Sequence, residues 1–285
     1  MTSAVERLPK STIKITITLP WNEVKNTYEH VMEEVIATAE VSGFRKGKAP
    51  RKLVEDKIDK TKVYQEVIQH IVPKTYADSV KQHDLKPIVS PRITITKAKE
   101  NEDWQFEALT CEQPPVVLGK YKEEIAKLKA TKKIWVPGKD IKKQEEEEKK
   151  GVELSQVLRV LLNSAQVEIP DMLVENQANK KLSELVDQVR TLGMTVEQYL
   201  MSKGITSEQL RAQYAREAEE TLKLEFILES IADLEKVVIS DKEIDEAINA
   251  VKDEKERANL GAQRYYISMI LRRQKTLDSL TKPIV

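Results

Sequence analysis

The hydrophobic pattern of the chain changes from alternation of apolar and polar residues in the first part to spacings of three and four in the second. This change constrains the fold more than any other feature. Apolar and polar residues alternate in three stretches, "STIKITITLP" from Ser11, "PRITITKAK" from Pro91 and "EDWQFEALTCE" from Glu102. Such alternation predicts half-buried β-strands. From residue 152 onward the apolar residues instead recur at spacings of three and four, which predicts helices. The sequence therefore predicts an α+β N-terminal domain of strand, helices and strands, followed by an all-α C-terminal domain.

The composition agrees with this division. A length of 285 residues suits about two domains. Hydrophobic residues make up 40% and charged residues 33% of the chain, which favours an elongated, heavily solvated molecule. Lysine plus arginine (47) balances aspartate plus glutamate (47). Any attraction to nucleic acid must therefore come from a local patch of charge.

Local signals predict where several helices begin and end. Pro20 and Pro170 each suit the first turn of a helix, and Pro73 is expected to kink or split a helix that begins near Lys62. Capping boxes, in which two side chains satisfy each other's backbone donors, predict three further helix starts. They pair Thr195 with Gln198, Thr206 with Gln209, and Ser240 with Glu243.

The sequence predicts three segments: a domain over residues 1–115, a connector over residues 116–151 and a helical domain over residues 152–285. The connector is rich in lysine and glutamate and contains "KKQEEEEKK". Such a charge run is typical of a solvated helical face or a linker. The segment "KKIWVPGKD" either packs Trp135 on the helical domain or marks a hinge, and we expect packing because an exposed tryptophan is costly.

No pattern predicts a catalytic residue, a metal site or a cofactor. The sequence has no Walker A, dinucleotide-binding, nucleophile-elbow or His-Glu-x-x-His motif. Cys111 is the one cysteine and has no histidine near it in sequence, so we expect a structural thiol. The chain also has no signal-peptide core and no apolar run long enough for a membrane span. We expect a cytoplasmic protein that does not bind a membrane.

The segment "VSGFRKGKAP", Val41–Pro50, is the strongest candidate for a binding site. Gly43 and Gly47 enclose Phe44, Arg45 and Lys46 in a stretch that cannot continue a helix. An aromatic ring beside two cations suits a surface that offers both a pocket and phosphates. The alternative is that Phe44 packs into the domain core and the cations are ordinary loop charges. Pattern alone leaves these two interpretations open.

The segment "GFRKGKAP" resembles the signature of the trigger factor family, bacterial chaperones that dock beside the ribosomal exit tunnel. The resemblance implies that Phe44, Arg45 and Lys46 form the ribosome-docking tip, with Gly43, Gly47, Lys48 and Pro50 shaping it. The second half is similar to the family's helical domain in "VEIPDMLVENQANKKL" and "GMTVEQYLMSKGITSEQLR". That domain holds unfolded chains with helical arms in the family. The space between Gly119 and Gly151 is too short for the family's prolyl isomerase domain.

The resemblance implies an ATP-independent chaperone whose partners are the large ribosomal subunit, at a ribosomal protein and rRNA near the exit tunnel, and unfolded nascent polypeptides. A weak homodimer is also compatible with it. Apolar residues left exposed on the helical domain would contact clients. The candidates are Met194, Tyr199, Leu200, Met201, Tyr265, Tyr266 and Met269. The alternative for each of them is a place in the core, where most apolar residues at helical spacing lie. Two other functions stay open: an RNA- or ribosome-associated assembly factor that holds no clients, and a prolyl isomerase acting through another surface.

Overall fold

The computed structural model describes residues 1–40, 44–47, 50–55, 58–131, 153–251 and 253–282. The chain forms two compact units, Met1–Gln113 and Pro114–Val285. The first contains the sheet and the second is built from helices, so the predicted fold class, α+β followed by all-α, is confirmed.

The first unit is an antiparallel sheet covered by helices. Its four strands have the order β1-β2-β4-β3. The strands are β1 Thr2–Leu8, β2 Thr12–Leu19, β3 Arg92–Lys97 and β4 Trp104–Cys111. The helices are α1 Trp21–Thr38, α2 Arg51–Glu55 and α3 Lys60–Gln82.

The core of this unit follows from the alternation in β2 and β4. Every second residue of β2 is buried, from Ile13 to Leu19, and Trp104 and Phe106 of β4 lie in register with Leu19 and Ile17. These side chains pack against Val24 and other apolar residues of α1 and α3. The sheet thus buries one face, as its alternating pattern requires.

Two details of this unit complete the expectation. β1 was not predicted, because Val5 is the one large apolar side chain among its central residues and the strand is defined by pairing with β2. Of the two outcomes predicted at Pro73, a kink or a split, the split does not occur, because α3 continues through the proline. The proline removes one backbone donor, and burial of the surrounding turns holds the helix together.

The second unit is helical throughout its described residues. Its helices are α4 Tyr121–Thr131, α5 Leu154–Ser164, α6 Asp171–Thr191, α7 Val196–Lys203, α8 Ser207–Leu234, α9 Asp241–Asn249, α10 Glu254–Ala262 and α11 Arg264–Thr281. All three predicted capping boxes are present, at the starts of α7, α8 and α9. α10 was not predicted.

Most of the large buried apolar residues in the described part of this unit belong to three separate clusters. The body cluster joins α4, α5 and the C-terminal parts of α8 and α11 around Leu161 and Ile231. The tip cluster joins α6, α7 and the start of α8 around Val189 and Leu210. The arm cluster joins α9, α10 and the start of α11 around Ile244. A helical arm that projects from a domain needs a small core of its own, and these separate clusters suit such arms.

Part of the predicted connector belongs to the helical unit. Residues 121–131 form α4, in which Tyr121 and Ile125 are buried in the body cluster. The lysines and glutamates of α4 lie on its other faces, so this charge pattern is a solvated helical surface. Residues 132–152, including Trp135, lie outside the described residues.

Candidate functional site

The residues at the tip of the α1–α2 loop lie on the surface. Phe44 is 45% exposed, and Arg45 and Lys46 are exposed beside it. Phe44 does not pack into the core of the first unit, so the alternative in which its ring is buried does not hold. Gly43 and Lys48 lie outside the described residues. We call Phe44, Arg45, Lys46 and Gly47 the docking tip.

Gly47 fixes the return of the docking tip to α1. Its N–H donates to the carbonyl oxygen of Ala39 at 3.1 Å, just beyond the end of α1. Its φ is +72°, and a Cβ at this position would lie 2.5 Å from the Ala37 carbonyl oxygen. A side chain would therefore be strained in conformation and would clash with backbone. Only glycine allows the tip to close in this way.

The two cations of the docking tip differ in their surroundings. Lys46 Nζ lies 3.6 Å from Glu40 Oε1, with both side chains largely exposed, so this ion pair is weak and easily exchanged for another anion. Arg45 forms no ion pair with any residue that the structure describes. Its guanidinium is thus able to bind a phosphate or carboxylate with two parallel hydrogen bonds.

The helical unit exposes a group of apolar residues on the first turns of α11. Tyr265 and Tyr266 are exposed, Met269 is half-buried, and Ile270 lies one turn after Tyr266 on the same side of the helix. We call these four residues the α11 patch. Ile270 is not among the residues predicted from the sequence, although its spacing of four from Tyr266 is a usable signal.

Contacts with α9 fix the start of α11. Arg264 Nη1 lies 2.5 Å from Asp245 Oδ1, and Arg264 Nη2 lies 3.5 Å from Asp241 Oδ1. Ile267, on the opposite side from the patch, is buried in the arm cluster. The α11 patch is thus presented by a helix that is already packed, and its exposed side chains are available for other contacts.

The four candidates near the tip cluster have two different environments. Met194 and Met201 are exposed, and Leu192 beside them is exposed as well. Tyr199 and Leu200 instead pack against the tip cluster and are half-buried. The expectation of an exposed surface therefore does not hold for Tyr199 and Leu200, because helical spacing alone did not show which side of α7 faces α6 and α8.

The remaining candidates for chemistry have structural surroundings. Cys111 is fully buried, and burial raises the pKa of its thiol to about 11. Among the described residues, no three His, Cys, Asp or Glu side chains are arranged to hold a metal ion. No helix in the described part of the chain combines the length and apolar character of a membrane span.

Comparisons with known proteins agree along the whole chain. A family model described as bacterial trigger factor protein matches residues 1–150, and a model of the C-terminus of the same protein matches residues 137–282. The two matches overlap, so no further domain lies between them.

Curated relatives match over a limited length. The trigger factor of Natranaerobius thermophilus is 32% identical over 122 residues, which cover 43% of this chain and 27% of the relative. The trigger factor of Mycolicibacterium smegmatis is 34% identical over 131 residues, which cover 46% of this chain and 27% of the relative. The matched stretch thus spans about a quarter of the curated relatives' length.

A solved structure extends the likeness in fold to nearly all residues. It comes from work on promiscuous substrate recognition in the folding and assembly activities of the trigger factor chaperone. It superposes with a TM-score of 0.63 over 98% of this chain and 99% of that chain, at 13% identity. The likeness therefore concerns the fold alone. The first family model matches residues 1–150 of this chain, which is more than half of its length. The chain therefore belongs to the bacterial trigger factor family.

Proposed function

We propose that this protein is an ATP-independent chaperone of the cytoplasm that docks on the large ribosomal subunit near the exit tunnel and holds unfolded nascent polypeptides. The observation that carries the proposal is the docking tip, where Phe44, Arg45 and Lys46 are exposed on a loop closed by Gly47. Exposed residues of this composition fit a surface of protein and RNA, and the chain belongs to a family of ribosome-associated chaperones.

The chemistry of the docking tip divides between its side chains. Arg45 binds phosphate through its planar fork, and Lys46 adds a point charge once it leaves Glu40. Phe44 fills an apolar pocket on a ribosomal protein, where a buried aromatic contributes most to affinity. Because phosphate contacts release counterions, docking weakens as the salt concentration rises.

Holding of clients is assigned to exposed apolar residues of the helical unit. The α11 patch offers two exposed tyrosines, whereas its Met269 is half-buried, and exposed Met194 and Met201 offer two flexible side chains. Such side chains adapt to varied partners. Docking on the ribosome raises the local concentration of chaperone around a nascent chain, so weak contacts suffice. Release then needs no ATP and occurs as the client folds or dissociates.

The holding activity is tested by the suppression of aggregation of an unfolded protein diluted from denaturant. The test variant is Tyr266→Ser/Ile270→Ser, whose side chains are 57% and 44% exposed on α11. The matched control is Ile88→Ser/Ile95→Ser, whose side chains are 43% and 41% exposed in the first unit. We expect wild type and control to suppress aggregation and the test variant to require several-fold more protein. Absence of suppression by the wild type would favour an assembly factor that holds no clients.

We further propose that the protein has no appreciable prolyl isomerase activity. The two family models meet within residues 137–150, and the sequence there is rich in lysine and glutamate. This composition does not suit the glycine- and aromatic-rich sheet of an isomerase domain. A protease-free proline isomerisation assay is expected to show the uncatalysed rate. Clear turnover would contradict this proposal and leave the docking proposal unaffected.

A further inference from the structure

Arg51 connects the two helices that flank the docking tip. It is the first residue of α2, and its Nη2 lies 2.5 Å from Glu29 Oε2 on α1. Its Nε lies 2.6 Å from Glu55 Oε1, one turn later on α2 itself. A single guanidinium thus bridges α1 and α2 at the base of the loop. Arginine suits this role because its donors lie in a rigid plane.

The α1 side of this bridge rests on a packed part of the first unit. Tyr28, next to Glu29, has its ring 5.3 Å from that of Tyr64 on α3. Tyr64 in turn lies 5.7 Å from the ring of Trp104 in β4. The position of Glu29 is therefore set by helix and sheet packing, and Glu29 offers Arg51 a fixed partner.

The α2 side of the bridge rests on a short helix. α2 has five residues, which is too short for a helix to be stable by itself. Among its residues Val54 is the buried one. A five-residue helix with one buried side chain gains orientation from a second contact at its start, and the ion pair of Arg51 with Glu29 supplies it.

Two contacts therefore hold the base of the docking tip. The Gly47 N–H donates to the carbonyl oxygen of Ala39 just beyond α1, and Arg51 holds the start of α2 against α1. We propose that Arg51 is a positioning residue for ribosome docking: through Glu29 it orders the docking tip, and it does not itself contact the ribosome. This inference rests on the docking function proposed above.

The alternative role for Arg51 is a direct contact with an rRNA phosphate, and the two roles predict opposite effects at Glu29. If Arg51 binds phosphate, Glu29→Gln removes a nearby negative charge and leaves binding unchanged or tighter. If Arg51 acts through Glu29, the same substitution loosens the tip and weakens binding. Glu33→Gln is the matched control, because Glu33 is exposed on the same helix and has no ion pair with a described residue.

The first measurement is made without ribosomes. A nitroxide spin label is placed on Phe44→Cys in the full chain, where buried Cys111 leaves residue 44 as the accessible thiol. We expect Arg51→Gln and Glu29→Gln to increase the mobility of the label, and Glu33→Gln to leave it unchanged. Equal mobility in all variants would overturn the proposal. Arg51 and Glu29 are both partly exposed, so these variants are expected to remain folded, and thermal melts check this.

The second measurement, on chains that retain Phe44, is the affinity for vacant large ribosomal subunits at two salt concentrations. We expect Arg51→Gln and Glu29→Gln each to weaken binding about three- to fivefold, and the double variant to be no weaker than Arg51→Gln alone, since both substitutions remove the same contact between α1 and α2. The salt dependence should stay that of the wild type, because no phosphate contact is lost. Tighter binding by Glu29→Gln, or a reduced salt dependence of Arg51→Gln, would overturn the proposal in favour of direct contact.

A failure of the docking function itself gives a different pattern. In that case Phe44→Ala/Arg45→Ala/Lys46→Ala binds subunits as well as the wild type does, whatever the label shows. If that triple variant loses binding while Arg51→Gln increases mobility without weakening binding, docking stands and the positioning role of Arg51 is overturned. The two proposals therefore fail separately.

Discussion

At the scale of single residues, Gly119 shows how closely two segments of the helical unit approach. A Cβ on Gly119 would lie 2.1 Å from the Ser164 carbonyl oxygen at the end of α5. The backbones of Val117 and Gln166 are joined beside it by two hydrogen bonds of 2.9 and 3.0 Å. The segment entering α4 cannot move away without breaking this pairing. Glycine at this position thus allows α4 to join the body cluster.

Gly119→Ala is therefore expected to destabilise the protein by about 2 kcal/mol, since a carbonyl and its pairing must shift. Gly261→Ala is the matched control: no described atom outside the adjacent residues and the backbone of the same helix lies within 4 Å of a Cβ there, and the residue is in α10. We expect it to stabilise by about 0.5–1 kcal/mol through the better helix propensity of alanine. Urea unfolding followed by circular dichroism measures both. Equal stabilities of the two variants would contradict the close approach at Gly119.

The site residues show which properties of single side chains a sequence can predict. Phe44, Arg45 and Lys46 were identified because the glycines around them form a local motif. The contact of Arg51 with Glu29 could not be predicted, because it joins residues 22 positions apart. Tyr199 and Leu200 were candidates for exposed contacts with a core role as the alternative, and they pack in the tip cluster. Burial on a helix depends on which neighbour covers it, and spacing alone does not contain that information.

At the scale of elements, helix starts that depend on nearby residues were predicted well, and a strand that depends on pairing with another segment was not predicted. The capping boxes at Thr195, Thr206 and Ser240 depend on residues three positions apart, and all are present. β1 depends on pairing with β2 and was missed. α10 was missed because its apolar residues follow no helical stripe, so nothing in its pattern indicates a buried face. α4 was assigned to the connector because its charges outnumber the few residues that it buries.

The capping box of α9 also predicts a pH dependence. Glu243 accepts hydrogen bonds from Lys275 Nζ on α11 at 2.7 Å and from the Ser240 N–H at 2.8 Å. The contact with Lys275, followed by those with Ser240, lowers the pKa of Glu243 to about 2. A carboxyl in an unfolded chain has a pKa of about 4.3. The carboxylate therefore stabilises the fold above about pH 4, and this contribution is lost as the pH falls towards 2.

Glu243→Gln is expected to be less stable than the wild type at pH 7, with a difference that shrinks progressively below about pH 4. Urea unfolding at pH 7, 4 and 3 measures the difference at each pH. Glu246→Gln, an exposed residue of the same helix without an ion pair to a described residue, is the control and should differ little at any pH. A deficit for Glu243→Gln that is constant from pH 7 to 3 would contradict the role of its charge.

At the scale of the whole molecule, the two units divide the proposed work. The first unit has one core, which supports a loop with exposed cations. The described part of the second unit has three small cores and several exposed apolar residues. One unit thus suits a fixed contact with a charged surface, and the other suits weak contacts with variable chains. Under the proposed docking, the first unit would bind the ribosome and keep the second at a high local concentration around a nascent chain, where weak contacts suffice.

The most direct test of this account is co-sedimentation of the full chain with vacant ribosomes at two salt concentrations. The test variant is Phe44→Ala/Arg45→Ala/Lys46→Ala. The control, Ile88→Ala/Lys97→Ala/Lys99→Ala, also removes one exposed apolar residue and two exposed cations from the first unit. We predict that wild type and control sediment with ribosomes, less so at the higher salt, and that the folded test variant loses at least tenfold in affinity. Equal sedimentation of the folded test variant would contradict docking through Phe44, Arg45 and Lys46.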